Sequence, residues 1–392
     1  MVRNSLTGMT VSLLSVFALP ALAAAAIALV AAPVVAADVP DPLPDPDGNP
    51  ADMSKPVQVY ILLGQSNMVG AGKVVGDTDG KLEYAVNTKG KYPYLVDDAG
   101  NWTERKDVRN VRVMGSGTGA MSVYNNEWMT ITGGNIGPEM GIGHYLGYAT
   151  DAPVMLVKSC IGNRALGWDL LPPGSEGWEY PEGGKTWVFP GYGGSPEKWE
   201  KGTDPTPIGW YAGKQYDGDT RNAKQVLDNL GDYYPDATEY EIAGFFWWQG
   251  DRDRYTAGHA AYYERNLVRL IEQLRVDFDA PNAKFVCATL GQTVKGATGN
   301  EGLILDAMFA VSDAEKYPQF EGDVATVYAN PLSMGGESSG HYGGHAETFM
   351  NVGEAMGEAM VTLIVPEPST FVLVALGLLS LAFYGRRRNR SE

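Results

Sequence analysis

The chain has little cysteine and little histidine, and this scarcity limits the chemistry open to it. Two cysteines, Cys160 and Cys287, and four histidines occur among 392 residues. No Cys/His spacing typical of a metal site is present, so we predict no metal ligands. Both cysteines lie in apolar runs of strand type, which favours two buried thiols over a disulfide.

Basic residues are also few. The chain has 30 Lys and Arg against 47 Asp and Glu, a formal net charge of -17. Such a surface repels polyanions, so we exclude nucleic acid as a partner. The charge suits an exported protein and leaves neutral, acetylated glycans open as ligands.

Long apolar runs occur at the two ends of the chain. Residues 1–37 combine Arg3, an Ala/Val/Leu run over 11–32 and small residues before Asp38, which predicts a signal peptide. The run is long for a cleaved signal, so an uncleaved anchor is the alternative. Residues 38–56, rich in Pro and Asp, predict a linker.

The C-terminal segment 365–392 places Pro-Glu-Pro before an apolar stretch (371–384) and an arginine-rich tail. This order resembles the PEP-CTERM sorting signal of Gram-negative bacteria. The resemblance implies processing by an exosortase and delivery to the cell surface or the extracellular matrix. An ordinary tail anchor, with a short transmembrane helix, is the alternative, and its topology is the same.

Residues 57–364 alternate apolar strands with amphipathic helices. Strands are predicted at 57–63, 152–160, 240–250 and 283–291, and helices at 138–150, 220–235, 256–278 and 349–364. The repeated units predict one α/β domain, a three-layer α/β/α sandwich with a central parallel sheet of flavodoxin-like type. Residues 73–135 and 162–219 look irregular, apart from a short strand indicated near 111–114.

Polar residues follow three of these strands. Ser66 follows the first, Gly162 and Asn163 follow the second, and Gln249 and Asp251 follow the third. Because ligands gather at the carboxyl ends of parallel strands, we expect these residues to share one rim. Ser66 is then a candidate nucleophile, although a serine here can also simply cap a helix.

An ester-cleaving serine needs a base to take its proton. His144 lies inside a predicted helix, where packing is its expected role, and His259 lies near a helix start, where we expect it to be solvated. His341 and His345 fall in a glycine-rich loop that suits a core histidine poorly. One of these two is the candidate base.

The stretches YILLGQSNMVGAG, GPEMGIG, WWQGDRD and GHYGGHAETFMNVGEAMGEAM together resemble the sialate O-acetylesterase-like branch of the SGNH hydrolases. The resemblance spans residues 57–363. Met68 stands two positions after Ser66, which separates the motif from the G-x-S-x-G elbow of α/β-hydrolases. The family implies deacetylation through a Ser-His acyl-enzyme, with no cofactor.

Carried over, the resemblance makes Ser66 the nucleophile and places an oxyanion hole at Ser66, Gly162 and Gln249. It places five further residues at the substrate: Gln65, Asn67, Asn163, Asp251 and Glu139. Glu139 also has a purely structural interpretation, as an acidic residue in a first helical turn. The chain has Gly-Asn-Arg where the family has Gly-Gly-Thr or Gly-Gly-Ser, and Asp251 where Glu is common.

The same resemblance matches His341 to the general base, with His345 as the second choice. The family places an aspartate three residues before the base, and here that position is Ser338. The nearest acid is Glu337. Either Glu337 orients His341, or a Ser-His dyad operates.

Five tryptophans fall in the irregular segment 162–219: Trp168, Trp178, Trp187, Trp199 and Trp210. They either form flat faces for sugar rings or pack among themselves as an insertion.

The sequence thus predicts a secreted or cell-surface serine carbohydrate esterase that removes O-acetyl groups from a glycan. Sialate, xylan and other acetylated polysaccharides stay open as substrates. The alternative is a non-catalytic carbohydrate-binding protein on the same fold. A third hypothesis, a lipase of the wider SGNH group, fits the aromatic residues less well.

Overall fold

The structure is a computed structural model that describes residue 40 and residues 43–364. The predicted signal peptide (1–37) and the sorting signal with its apolar stretch (365–392) lie outside the described residues. Within the described part of the chain, no helix is both long enough and apolar enough to cross a membrane.

The secondary structure alternates strands and helices along most of the chain. The strands are β1 Val57–Gly64, β2 Gly72–Lys73, β3 Arg105–Met114, β4 Ser122–Met129, β5 Asn135–Ile136, β6 Val154–Ser159, β7 Trp178–Glu182, β8 Lys185–Phe189, β9 Trp199–Glu200, β10 Tyr240–Trp248, β11 Lys284–Ala288 and β12 Val324–Val327. The α-helices are α1 Ser66–Val69, α2 Leu82–Asn87, α3 Glu139–Ala149, α4 Lys214–Leu227, α5 Leu230–Tyr233, α6 Ala257–Ala261, α7 Tyr263–Asp277, α8 Gly299–Ala310 and α9 Ala346–Ile364.

The main sheet has the strand order β12-β11-β10-β1-β6-β3-β4, with β1 at its centre. Every pairing is parallel except that of β3 with β4. Residues of β1 alternate between two cores: Tyr60 and Leu62 face one, and Val59, Ile61 and Leu63 face the other. A strand buried on both faces reads as one apolar run, which is why the sequence predicted its central place.

Helices cover both faces of the sheet. Helices α3 and α9 pack together over the first face, and α4, α7 and α8 supply apolar side chains to the second. The predicted three-layer α/β/α sandwich with a mostly parallel central sheet is therefore confirmed.

Several elements differ from the sequence prediction. The segment 73–135 contains the long antiparallel pair β3–β4, and α8 and β12 were not predicted. The helix predicted at 256–278 is divided at Tyr262 into α6 and α7. Both cysteines are free and buried, as predicted.

The tryptophan-rich segment builds a small sheet, β7-β8-β9, with a core of its own. Trp178 stacks on Phe189 with 5.2 Å between ring centroids, and Trp168 is buried in the same cluster. Cations cover the more exposed rings: Lys198 lies over Trp187, and Arg164 over Trp210. The aromatic residues of this segment thus pack among themselves and with basic side chains.

Residues 43–56 contain no helix or strand. Leu43 is nevertheless buried in the first core, and the Tyr148 hydroxyl donates a hydrogen bond to the Pro44 carbonyl. This part of the predicted linker therefore lies against the domain.

A buried lysine interrupts the apolar run of β6. The Lys158 ammonium lies 2.7 Å from the Glu139 carboxylate, and their side chains are 2% and 8% exposed. The same ammonium donates to the Val69 carbonyl at the end of α1 (2.9 Å), and Glu139 accepts the Gly137 N–H (3.0 Å). One ion pair thus joins β6, the start of α3 and the short helix that begins at Ser66.

Replacing Lys158 by Met should lower the free energy of unfolding by about 3–5 kcal/mol, because Glu139 is left as a buried charge without a counter-ion. Adding Glu139→Gln should restore part of that loss. Urea unfolding of the single and double variants measures both effects. Lys106→Met, at an exposed position of β3, serves as the control and should change stability by less than about 0.5 kcal/mol. Equal stabilities of the two Lys158 variants would contradict the role given to the ion pair.

Candidate active site

Ser66 lies where β1 ends at the centre of the sheet. The turn requires Gly64, whose φ is +141° and whose Cβ, if present, would lie 2.4 Å from the Trp248 carbonyl oxygen. Gln65 is extended, and Ser66 begins α1. The serine therefore stands at a helix N-terminus, where backbone N–H groups have no intrahelical acceptor and are available to a ligand.

The loop after β6 packs directly on this serine. A Cβ built on Gly162 would lie 3.3 Å from Ser66 Cβ, so the two backbones approach closely. The next residue, Asn163, is exposed and has a φ of +57°. Non-glycine residues in this region are uncommon, asparagine is among the most tolerant of them, and they cluster at functional sites.

Gln249, at the end of β10, is fully buried and its amide is engaged within the protein. Its Nε2 lies 3.1 Å from Gln65 Oε1, 2.8 Å from the Arg164 carbonyl and 2.6 Å from Asp253 Oδ2. Its Oε1 accepts the Tyr263 hydroxyl at 2.7 Å. Since an amide nitrogen carries two hydrogens, Gln249 has none left for a ligand in this arrangement.

Gln65 is held in one orientation by its neighbours. Its Oε1 accepts hydrogen bonds from Gln249 Nε2 and from the Arg252 N–H, each at 3.1 Å. Within the described residues, its Nε2 has no hydrogen-bond partner. Gln65 therefore retains both of its amide hydrogens, whereas Asn67, on the other side of Ser66, uses one of its own on Tyr342.

Asp253 is a fully buried carboxylate that binds three donors. Its oxygens accept the backbone N–H groups of Leu166 and Gly167, both at 2.8 Å, in addition to Gln249 Nε2. Burial raises the pKa of Asp253 to about 6. Its His259 neighbour is also fully buried, so the prediction of a solvated His259 is wrong. Burial lowers the pKa of His259 to about 3.

His341 lies in the 3-10 segment Ser338–Gly344, and three consecutive residues, His341, Tyr342 and Gly343, have φ between +51° and +62°. Its side chain is exposed and makes no hydrogen bond or ion pair with the described residues. Tyr342, in contrast, is buried, and its hydroxyl bonds Asn67 Nδ2 (3.4 Å) and the Gly291 N–H (3.0 Å).

The Asn67–Tyr342 hydrogen bond joins the two parts of the chain that carry the predicted nucleophile and base. Ser66 precedes Asn67, and His341 precedes Tyr342, so each candidate is one residue from the same bond. Asn67 itself is completely buried. Its side chain thus holds the loop rather than facing solvent.

Hydrogen bonds and ion pairs of two acidic residues, Asp251 and Glu337, hold the loop that carries His341. Ser338 Oγ donates to Asp251 Oδ1 at 2.5 Å, and Asp251 also accepts Arg254 Nε at 3.0 Å. Glu337 is exposed and its carboxylate pairs with Arg254 Nη2 at 3.2 Å, not with His341. Arg254 therefore connects the loop after β10 with the loop that carries the candidate base.

His345 faces a different neighbour. Its Nε2 lies 4.0 Å from Asp79, and with Glu347 these residues form a group of potential metal ligands. Glu347 is buried between Lys89 and Lys91, each 2.5 Å away, and Lys89 also bonds Asp79. The two ammonium groups already neutralise the carboxylates, so the cluster offers little attraction for a cation.

Comparison with known proteins finds a family model that matches part of the chain. Residues 188–362 match the family described as carbohydrate esterase, sialic acid-specific acetylesterase. Residues 365–388 match the PEP-CTERM protein-sorting motif, which indicates export in Gram-negative bacteria.

Solved structures resemble this chain distantly. A protein of Arabidopsis thaliana is 16% identical, with a TM-score of 0.44, covering 79% of this chain and 99% of its own. A carbohydrate acetylesterase from Xanthomonas citri is 15% identical, with a TM-score of 0.43, covering 78% of this chain and 56% of its own. NanS is 15% identical, with a TM-score of 0.35, covering 83% of this chain and 99% of its own. None of the curated proteins matches the chain.

The structure brings the predicted residues Gln65, Ser66, Gly162 and Gln249 together at the carboxyl ends of β1, β6 and β10. Sequence reasoning gave no role to Tyr342, Arg254 or Lys158. For Lys158 a signal was available, because it lies within an apolar strand and a lysine is almost never fully buried unless it is paired. Its position therefore indicated an acidic partner. The role of Tyr342 had no comparable local signal.

Replacing Asp253 by Asn should change how the stability of the protein depends on pH. The raised pKa means that folding favours protonated Asp253. The contribution of Asp253 to the free energy of unfolding is complete below about pH 4 and is lost as pH rises through about 6. Wild-type stability relative to Asp253→Asn should fall by about 3 kcal/mol across that window, at about 1.4 kcal/mol per pKa unit. Urea unfolding at pH 4, 5, 6 and 7 measures the difference, and a difference that stays constant would refute the assignment.

Proposed function

We propose that this protein is an exported serine esterase that removes O-acetyl groups from a glycan, with Ser66 as nucleophile and His341 as general base. The observation that supports the proposal is the Asn67–Tyr342 hydrogen bond, since Ser66 and His341 each neighbour one of its two partners in the chain. The carbohydrate esterase family match supports the ester and glycan classes of substrate.

In the proposed reaction, Ser66 Oγ attacks the acetyl carbonyl carbon while His341 takes the hydroxyl proton. The tetrahedral intermediate collapses when the C–O bond to the sugar breaks, and His341 returns the proton to the departing sugar oxygen. A water molecule, deprotonated by His341, then attacks the acetyl-enzyme. Acetate leaves, and the serine regains its proton.

The developing oxyanion needs donors that are free before the substrate arrives. The backbone N–H groups of Ser66 and Gly162 supply two. For the side-chain donor we favour Gln65 over Gln249, because the hydrogens of Gln249 already have acceptors in the protein. Gln249 then orients Gln65, and Asn163, next to Gly162 and exposed, remains the candidate contact to the sugar.

The two acids near the candidate base, Asp251 and Glu337, are proposed to act on its loop and not on His341 itself. Asp251 fixes Ser338, and Glu337 binds Arg254, so both acids position the segment that carries His341. This arrangement favours a Ser-His dyad over a triad with Glu337. The PEP-CTERM motif supports surface or matrix display after exosortase processing.

Hydrolysis of p-nitrophenyl acetate by the purified protein tests the assignment of nucleophile and base. Ser66→Ala and His341→Ala should each lower kcat by at least about 10³-fold, in line with the loss of a catalytic residue. His345→Ala should retain activity within about threefold, because its ring faces Asp79. A wild-type protein as inert as Ser66→Ala, on this ester and on acetylated sugars, would favour the non-catalytic binding protein instead.

Glu337→Gln distinguishes the dyad from the triad. Changing the acid of a working triad to its amide lowers kcat by about 10⁴-fold. For Glu337, which is exposed and paired with Arg254, we expect a loss of less than tenfold. Ser338→Ala is the matched comparison, since it releases the same loop without removing a charge. A loss for Glu337→Gln above about 10³-fold would restore Glu337 as the triad acid.

A further inference from the structure

A polar cavity of about 270 Å³ lies beside the helix that begins at Ser66. Val69 and Gly70 form part of its wall, the segment 130–136 forms much of the rest, and β3, β4, β6 and the start of α3 complete it. Since an α-helix rises about 1.5 Å per residue, the wall at Val69 begins about 4.5 Å along the helix from Ser66. The cavity is thus adjacent to Ser66, and of the predicted site residues Glu139 lines it.

Two side chains of β3 at this cavity have buried polar atoms that lack a hydrogen-bond partner in the described part of the chain. Asn110 is 5% exposed, and its buried Oδ1 accepts no hydrogen bond. Arg112 forms no hydrogen bond or ion pair with the described residues, its Nε is buried, and its guanidinium lies 5.2 Å from the Tyr124 ring centroid. Buried polar groups are normally satisfied, so these unpaired groups at a cavity wall are available to a molecule bound there.

The charges at the wall cancel. Arg112 and Lys158 are cationic, and Glu127 and Glu139 are anionic. Glu139 and Lys158 pair with each other, and Glu127 accepts hydrogen bonds from Asn125 and Thr132 through a single oxygen. The wall therefore offers donors and acceptors in similar measure and no net charge.

We propose that this cavity is a subsite for one neutral sugar unit of the glycan, next to the unit that carries the ester. The inference rests on the proposed function and extends it from the acetyl group to the sugar chain. A sugar hydroxyl both donates and accepts, so it can satisfy Arg112 and Asn110 Oδ1 together.

Charged ligands fit the same wall less well. An anion would satisfy Arg112 but would face Glu127 and leave Asn110 Oδ1 without a donor. A cation would bind the acceptors and be repelled by Arg112. The volume, just below the range of about 300–1,000 Å³ for drug-sized ligands, suits one monosaccharide unit.

The first test compares substrates that differ in sugar length. The probes are p-nitrophenyl acetate and acetylated xylo-oligosaccharide, manno-oligosaccharide and sialyl-lactose, each beside its acetylated monosaccharide. Wild type should prefer the oligosaccharide of at least one pair by tenfold or more in kcat/KM. Arg112→Met and Asn110→Leu should each reduce that preference at least tenfold. The kcat/KM values of each variant are divided by its kcat/KM for p-nitrophenyl acetate, so that a general loss of activity is excluded. Lys106→Met, which removes an exposed cation from the same strand, should leave all rates unchanged.

The second test is independent of catalysis. Saturation-transfer NMR measures binding of xylotriose, mannotriose and sialyl-lactose to Ser66→Ala and to Ser66→Ala with Arg112→Met. We expect signals from at least one oligosaccharide in the first protein and their loss in the second. If wild type cleaves p-nitrophenyl acetate but no oligosaccharide is preferred or bound, the cavity holds only water and the subsite is refuted while the esterase stands. If no ester is cleaved, the esterase proposal fails, and the binding signals alone decide the subsite.

Discussion

The carboxylate of Asp253 is the interaction on which the arrangement of the site depends. It accepts two backbone N–H groups from the loop after β6 and the amide of Gln249 at the end of β10, and Gln249 in turn bonds Gln65 at the end of β1. Three loops from three neighbouring strands therefore converge on one buried anion. Hydrogen bonds to a charged acceptor are stronger than those between neutral groups, and the low polarity of the surroundings strengthens them further. The free amide of Gln65 and the close contact of Gly162 with Ser66 both follow from that convergence.

The parts of the site that could be predicted are those with local signals. An apolar run ending in Gly-Gln-Ser-Asn, and a later one ending in Trp-Gln-Gly, fixed two strand ends and the rim that they share. The glycine-rich loop around His341 was recognisable because such a loop buries a histidine poorly. The partners of these residues could not be predicted from local patterns. Tyr342 and Asn67 form a hydrogen bond although they lie 275 positions apart in the sequence. Arg254 forms ion pairs with acidic residues from three separate segments. Periodicity carries no information on such pairings.

The fold shows the same division between local and distant signals. Strands buried on both faces, such as β1, were visible as apolar runs, and so was the layer order that they imply. The β3–β4 pair was missed because β4 alternates little and lies at the exposed edge of the sheet. His259 was expected in solvent from its place at a helix start, but the insertion that carries Trp178 and Phe189 covers it. The tertiary contacts of an irregular segment thus decided the burial of a distant residue.

The bond between Asn67 and Tyr342 also has a consequence for timing. As the ribosome or an export channel releases the chain, the serine end emerges early, whereas the tyrosine and its histidine neighbour follow almost at the end of the domain. Helix α9, which covers the sheet beside α3, comes later still. A partly delivered chain therefore has the serine and lacks the base, and pairings between such distant positions form slowly. On the proposed mechanism, a chain released only as far as Ser66 is inactive, and activity requires that the segment with His341 has been delivered and has paired.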